Sequence, residues 1–187
     1  SASKNDSGIV GIVPNIDLYS VKVLDSSGSG TYSSIIQGLQ WAIDNKIDIV
    51  SMSLGGSQYS KLLKDAISEA SSKNILIIAA AGNEGSNEIN YPAKYSEVVC
   101  VGAVDRAGKV APFSNRGLEM DIVAPGVEIE TTAIGDRLAT VSGTSPAVPH
   151  VAGVAAQLLD AKKVLDINGL KAILYNSTTP ILGMTKE

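Results

Sequence analysis

Cysteine and histidine each occur once in the 187 residues, no stretch gathers lysine and arginine, and no apolar run reaches the length of a membrane helix. One cysteine cannot form an internal disulfide, and Cys100 sits in "EVVCVGAV", the pattern of a buried strand, so it reads as a core thiol. With 15 basic against 19 acidic residues the net charge is -4, which argues against nucleic acid as a partner. A membrane-spanning helix needs about 20 apolar residues in a row, so no membrane span is expected. The opening "SASKNDSGIV" has neither a basic start nor a long apolar region, so it is not expected to act as a signal peptide.

What is present is 44% hydrophobic residues in a chain long enough for one domain with a substantial core. Runs rich in Val and Ile alternate with segments of helical period, the order expected of a parallel sheet with crossover helices. Strands are expected at 17–24, 47–54, 74–82, 98–105 and 120–126, with a hairpin near 127–134. The stripe Ile35, Leu39, Ala42 and Ile43 marks a helix over 32–45. Leu62, Leu63, Ala66, Ile67 and Ala70 mark a second. A helix from about 144 to 160 is apolar nearly all round and is expected to be buried. A last amphipathic helix is expected over 166–178.

Ligands of open α/β sheets bind at the carboxyl ends of the strands. Four Gly-rich loops fall there: "GSG" (28–30), "SLGG" (53–56), "AGNEG" (81–85) and "APG" (124–126). A dinucleotide fingerprint beginning at Gly28 fails, because its third glycine is Ser33 and Asp48 precedes its strand rather than ending it. An α/β-hydrolase elbow in "GTSPA" (143–147) fails as well. That fold needs a histidine after the serine, and His150 lies five helical steps from Ser145, turned roughly 140° away.

The remaining order has the serine last, with its acid and base upstream. The segments "VKVLDSSGSGTYSSIIQGLQWAIDNKIDIVSMSLGG", "AAAGNEG", "YPAKYSEVVCVGAVD", "FSNRG", "VAPG" and "GTSPAVPHVAG" resemble, in the same order, those of the subtilisin-like serine proteases. The resemblance implies a three-layer α/β fold, with a mostly parallel central sheet flanked by helices. It implies Ser145 as nucleophile at a helix start, where the dipole favours negative charge, and Asn83 as side-chain oxyanion donor.

The same resemblance places an extended polypeptide substrate between Gly28, Ser29 and Gly30 on one side and Ser53, Leu54 and Gly55 on the other. A side-chain pocket would be walled by 53–55 and by Ala80, Ala81, Gly82 and Asn83, with Glu84 and Asn90 at its rim and base. It should take large apolar groups, and Glu84 would also tolerate basic ones. His150 is structural in this pattern. A structural calcium ion is implied at the loop 3–9 through Asn5, and a second cation at the backbone oxygens of Ala93, Tyr95 and Val98 near Asp121. No organic cofactor is implied.

Pro146 stands where the family usually has methionine. The family's "HGTH" motif does not occur in the sequence, and the resemblance places the family's aspartate motif upstream of the position that matches Ser1. The expectation is therefore the C-terminal portion of a peptidase domain, incomplete on its N-terminal side and lacking a central strand. It would be inactive alone, and would work with an N-terminal segment of the same precursor, in a secreted bacterial protein. The alternative is a pseudoprotease or peptide-binding module without catalysis.

Overall fold

Thr31 accepts from the Ser34 N–H and the Ser34 hydroxyl accepts from the Thr31 N–H, a capping box that starts α1 (Tyr32–Asp44). β1 (Ile49–Met52) follows, and Ser60 caps α2 (Lys61–Ser72). Next come β2 (Leu76–Ala80), β3 (Val99–Val104), β4 (Ile122–Pro125) and the strands β5 (Ile129–Ala133) and β6 (Arg137–Val141). α3 (Thr144–Lys162) and α4 (Ile167–Asn176) close the order, the latter capped by Asp166. The structure, a computed structural model, describes residues 9–135, 137–162 and 166–181.

β1 to β4 form one parallel sheet in the order β1-β2-β3-β4. Alternation along the strands divides the core into two layers. Ile75, Ile77, Ala79, Ala81 and Cys100 meet Ile35 and Leu39 of α1 and Leu63, Ile67 and Ala70 of α2. Leu76, Ile78, Ala80, Val99, Val101 and Ala103 meet Ala147, Val148, Val151 and Ala155 of α3 and Leu170 and Leu174 of α4. A strand buried on both faces must be apolar at every position, and β2 and β3 are. The expected three-layer α/β architecture is present.

The differences are local. Residues 17–24 have the alternation of a strand, but among the described residues they pair with none. They lie against α1 instead: the Ser34 hydroxyl donates to the Val23 carbonyl at 2.9 Å. A Cβ on Gly38 would come within 2.7 Å of Val23 Cγ1. β1 to β4 pair in succession, and 17–24 is not part of that sheet. The hairpin sits later than expected, with β5 paired to β6. Leu62 is 72% exposed, because the buried arc of α2 is centred on Leu63, Ile67 and Ala70. α3 is buried along one face only: Val148 is 0% exposed and Val154 42%.

Candidate active site

The carboxyl ends of β1 and β2 run into the loops 53–56 and 81–85, and both loops meet the start of α3. Thr144, the first residue of that helix, is fully buried. Its backbone N–H donates to Asn83 Oδ1 at 2.7 Å, and its hydroxyl donates to the same oxygen at 3.0 Å. A backbone N–H can only donate, so the atom facing it must be the carboxamide oxygen. The Asn83 side chain is thereby oriented with Nδ2, its donor end, turned away from Thr144. Asn83 itself is exposed. Ser145 comes next, half-buried, with its N–H among the first four of the helix and so without an intrahelical acceptor. Negative charge placed beside Ser145 would meet two kinds of fixed donor, the free N–H groups of the helix start and a carboxamide that does not titrate.

The 81–85 loop is held from behind. Asn115, 1% exposed, accepts from the Glu84 and Ser86 N–H groups at 3.0 Å each through Oδ1. Its Nδ2 donates to the Ala81 carbonyl at 3.3 Å and to Glu84 Oε2 at 2.6 Å. Asn90 Nδ2 donates to Glu84 Oε2 at 3.1 Å. That carboxylate oxygen is therefore tied to two carboxamides from outside the 81–85 loop, which fits a scaffold role better than a charge offered to a basic side chain. Gly82 has φ +115°, and a Cβ there would lie 2.2 Å from Asn115 Nδ2, so only glycine fits.

The loop 25–30 is shaped by Asp25. Its Oδ1 accepts from Ser27 N at 2.8 Å, Ser27 Oγ at 2.6 Å and Ser29 N at 3.0 Å. The Ser27 hydroxyl, then the Ser29 and Ser27 N–H groups, hold the Asp25 carboxyl below the usual range. A cavity of about 590 Å³ lies between Gly28, Ser29 and Gly30 and the opposing Ser53, Leu54 and Gly55. Its apolar lining includes Leu24, Ile35, Leu63 and Pro92. Ala80, Gly82, Glu84 and Asn90 do not line this cavity. Among the described residues, neither Gly30 nor Gly55 spends its N–H or C=O on another backbone group. On the far side Gly56 and Tyr91 exchange backbone bonds at 2.9 and 2.8 Å, which keeps that loop in place.

His150 Nδ1 is 2.7 Å from the Pro146 carbonyl, so it carries the proton and donates within its own helix. Asn5 lies outside the described residues. Asp121 Oδ2 accepts the Cys100 N–H at 2.9 Å. Nearby, the ammonium of Lys171 donates to the Glu97 carbonyl at 2.6 Å, in the loop that also holds Ala93, Tyr95 and Val98. Burial lowers the Lys171 pKa, while the charges of Asp121 and Glu97 work the other way. The lysine thus brings a positive charge beside Asp121 and the 93–98 loop. Among the described residues no group of three or more His, Cys, Asp or Glu side chains could hold a metal. None of their helices is long and apolar enough to cross a membrane.

Thr144, Asn115 and Asp25 do not stand out in the sequence as site residues. Thr144 and Asn115 lie inside quoted motifs, and the available signal was a small polar residue amid apolar or glycine neighbours. Asp25, two residues before a Ser-Gly pair, has the spacing of a side chain that caps its own turn.

A doubly covered parallel sheet with a helix-borne serine and a pinned carboxamide at its carboxyl edge defines the class, an α/β protein with fixed hydrogen-bond donors gathered at that edge. Residues 1–186 match the subtilase family, Peptidase_S8, and the chain belongs to that family. It is 44% identical over 183 residues to subtilisin DY of Bacillus licheniformis, covering 96% of this chain and 67% of that protein. Over 156 residues it is 49% identical to a thermostable alkaline protease of Halalkalibacterium halodurans, covering 83% of this chain and 43% of that protein. Of solved structures, sphericase superposes with a TM-score of 0.86 at 35% identity, covering 91% of this chain and 63% of that one. The matches thus extend over 43% to 67% of these relatives' own lengths.

Proposed function

We propose that the chain carries the nucleophile and oxyanion site of a serine endopeptidase that cleaves polypeptides. Ser145 Oγ attacks the peptide carbonyl carbon and passes its proton to a base. The carbonyl oxygen, now negative, is held by Asn83 Nδ2 and the Ser145 N–H. The C–N bond then breaks, the amine leaves with the proton from the base, and water later hydrolyses the acyl group from Ser145. The base and its carboxylate partner come from outside this chain. The histidine of the sequence, His150, is committed to Pro146 and sits on the same helix as Ser145.

The observation that carries this reading is the orientation of Asn83. Thr144 takes its oxygen twice, at 2.7 and 3.0 Å, which leaves the N–H end for a ligand beside Ser145. A binding module would have no use for that arrangement. The backbone of Gly30 and Gly55, without a backbone partner among the described residues, supports docking of the substrate as an added strand, and the apolar floor between them supports a large apolar side chain at one substrate position. A structural calcium ion at the loop around Asn5 is part of the proposal on the family resemblance alone. No step calls for an organic cofactor.

The test is a fluorophosphonate reaction followed by intact mass of every polypeptide in the preparation. The expected result is one adduct, on Ser145, in a preparation that also holds a polypeptide supplying aspartate and histidine. Absence of the adduct in such a complete preparation would leave peptide binding without catalysis as the better reading.

A further inference from the structure

Proline inside a helix lacks the N–H that the carbonyl four residues earlier would receive, and its ring pushes that carbonyl aside. The interior proline of α3 is Pro149, and the carbonyl four residues before it belongs to Ser145. That carbonyl is not left without a partner. The Ser53 hydroxyl donates to it at 2.7 Å, from a loop 92 residues earlier. In return the Ser145 hydroxyl points to the Ser53 carbonyl at 3.5 Å, the limit of a hydrogen bond. The next carbonyl, of Pro146, likewise meets a side chain, Nδ1 of His150.

We propose that Ser53 is a positioning residue whose hydroxyl replaces the backbone donor that Pro149 cannot supply. It thereby fixes the helical turn that carries the Ser145 side chain and N–H. The inference rests on the reading of Ser145 as the nucleophile, and it gives Ser53 a task separate from any backbone pairing with substrate. Its two bonds differ in strength in a way that suits the task. The 2.7 Å bond holds the backbone of Ser145 throughout, while the 3.5 Å contact is weak enough to release the Ser145 hydroxyl when a base takes its proton. The helix break also ties the nucleophile to the substrate-binding edge, because the donor that repairs it stands on that edge. Ser53 is exposed, so removing its oxygen leaves no cavity.

The test is a double-mutant cycle of Ser53→Ala and Pro149→Ala, with Ser53→Thr as the conservative variant, in the protease assembled with the segment supplying its aspartate and histidine. Acylation kcat, KM and thermal midpoint are measured for each. Ser53→Ala is expected to lower kcat roughly threefold to tenfold, the range of one lost hydrogen bond, with KM within about twofold. Ser53→Thr is expected to restore kcat. In the Pro149→Ala background the residue 149 N–H can serve the Ser145 carbonyl, so Ser53→Ala should cost much less in both kcat and thermal midpoint. Equal losses in both backgrounds, or a loss confined to KM, would overturn the proposal. If wild type fails to react with the fluorophosphonate, the nucleophile reading falls. The thermal-midpoint coupling then decides by itself whether Ser53 and residue 149 compete for one carbonyl.

Discussion

Replacing Thr144 with valine removes one oxygen from a fully buried side chain and keeps its shape. The lost hydroxyl donates to Asn83 Oδ1 at 3.0 Å and lies 3.4 Å from the Gly82 N–H, which it can accept. The Thr144 N–H keeps its own 2.7 Å bond to Asn83, so the carboxamide is loosened without being freed. One neutral hydrogen bond is worth about 0.5–1.5 kcal/mol net, which corresponds to roughly a twofold to tenfold slower acylation. The Gly82 N–H, left buried without its acceptor, costs about 1–3 kcal/mol of stability. For a chain of this size that lowers Tm by about 2–4 °C per kcal/mol. Single-turnover acylation and a thermal melt read the two effects separately, and Thr144→Ser is expected to reverse both. A Thr144→Val protein with wild-type acylation and wild-type Tm would refute the claim that this hydroxyl orients Asn83 and serves Gly82.

Two further outcomes follow from the same geometry. Gly82→Ala combines a φ of +115° with a Cβ 2.2 Å from Asn115 Nδ2, and is expected to cost about 2–4 kcal/mol, read as a lowered thermal midpoint. A melt unchanged from wild type would mean the 81–85 loop relaxes freely. Acid should weaken the fold through Glu97. Burial pushes its carboxyl up, but the hydrogen bonds from Lys64, Ser68 and Ser96 outweigh this and bring it down from 4.5 to about 2. The folded state therefore holds fewer protons than the unfolded one between these values. The stabilisation is complete above pH 4.5 and is lost as pH falls toward 2. Because solvent reaches part of the pair, its size is on the order of 1 kcal/mol. Lys64→Met should flatten this part of the stability–pH curve, and an unchanged slope would count against the ion pair as its source.

Where neighbours in sequence make the structure, the sequence was legible. The spacing of Ile35, Leu39 and Ala42 placed α1, and the unbroken apolar run at 75–81 placed β2 in the middle of the sheet. Segment 17–24 shows the limit, since alternation marks a chain able to pair but cannot supply a partner, and β1 pairs only with β2. α3 shows another: its composition is apolar all round because small residues pack on the sheet, yet Val154 faces outward. In the candidate site, Ser145 and Asn83 stand out in the sequence only through the motifs that carry the family resemblance. The clasp between Ser53 and Ser145 does not, because it joins residues 92 apart through a consequence of Pro149 that appears only once the helix is built.

The most direct measurement is steady-state kinetics of Asn83→Ala beside wild type, in the protease assembled with its aspartate and histidine. If the pinned carboxamide of Asn83 holds the developing oxyanion next to Ser145, kcat should fall roughly 100-fold to 1,000-fold while KM stays near its wild-type value. A KM that rises while kcat holds would place Asn83 in substrate binding and contradict the account.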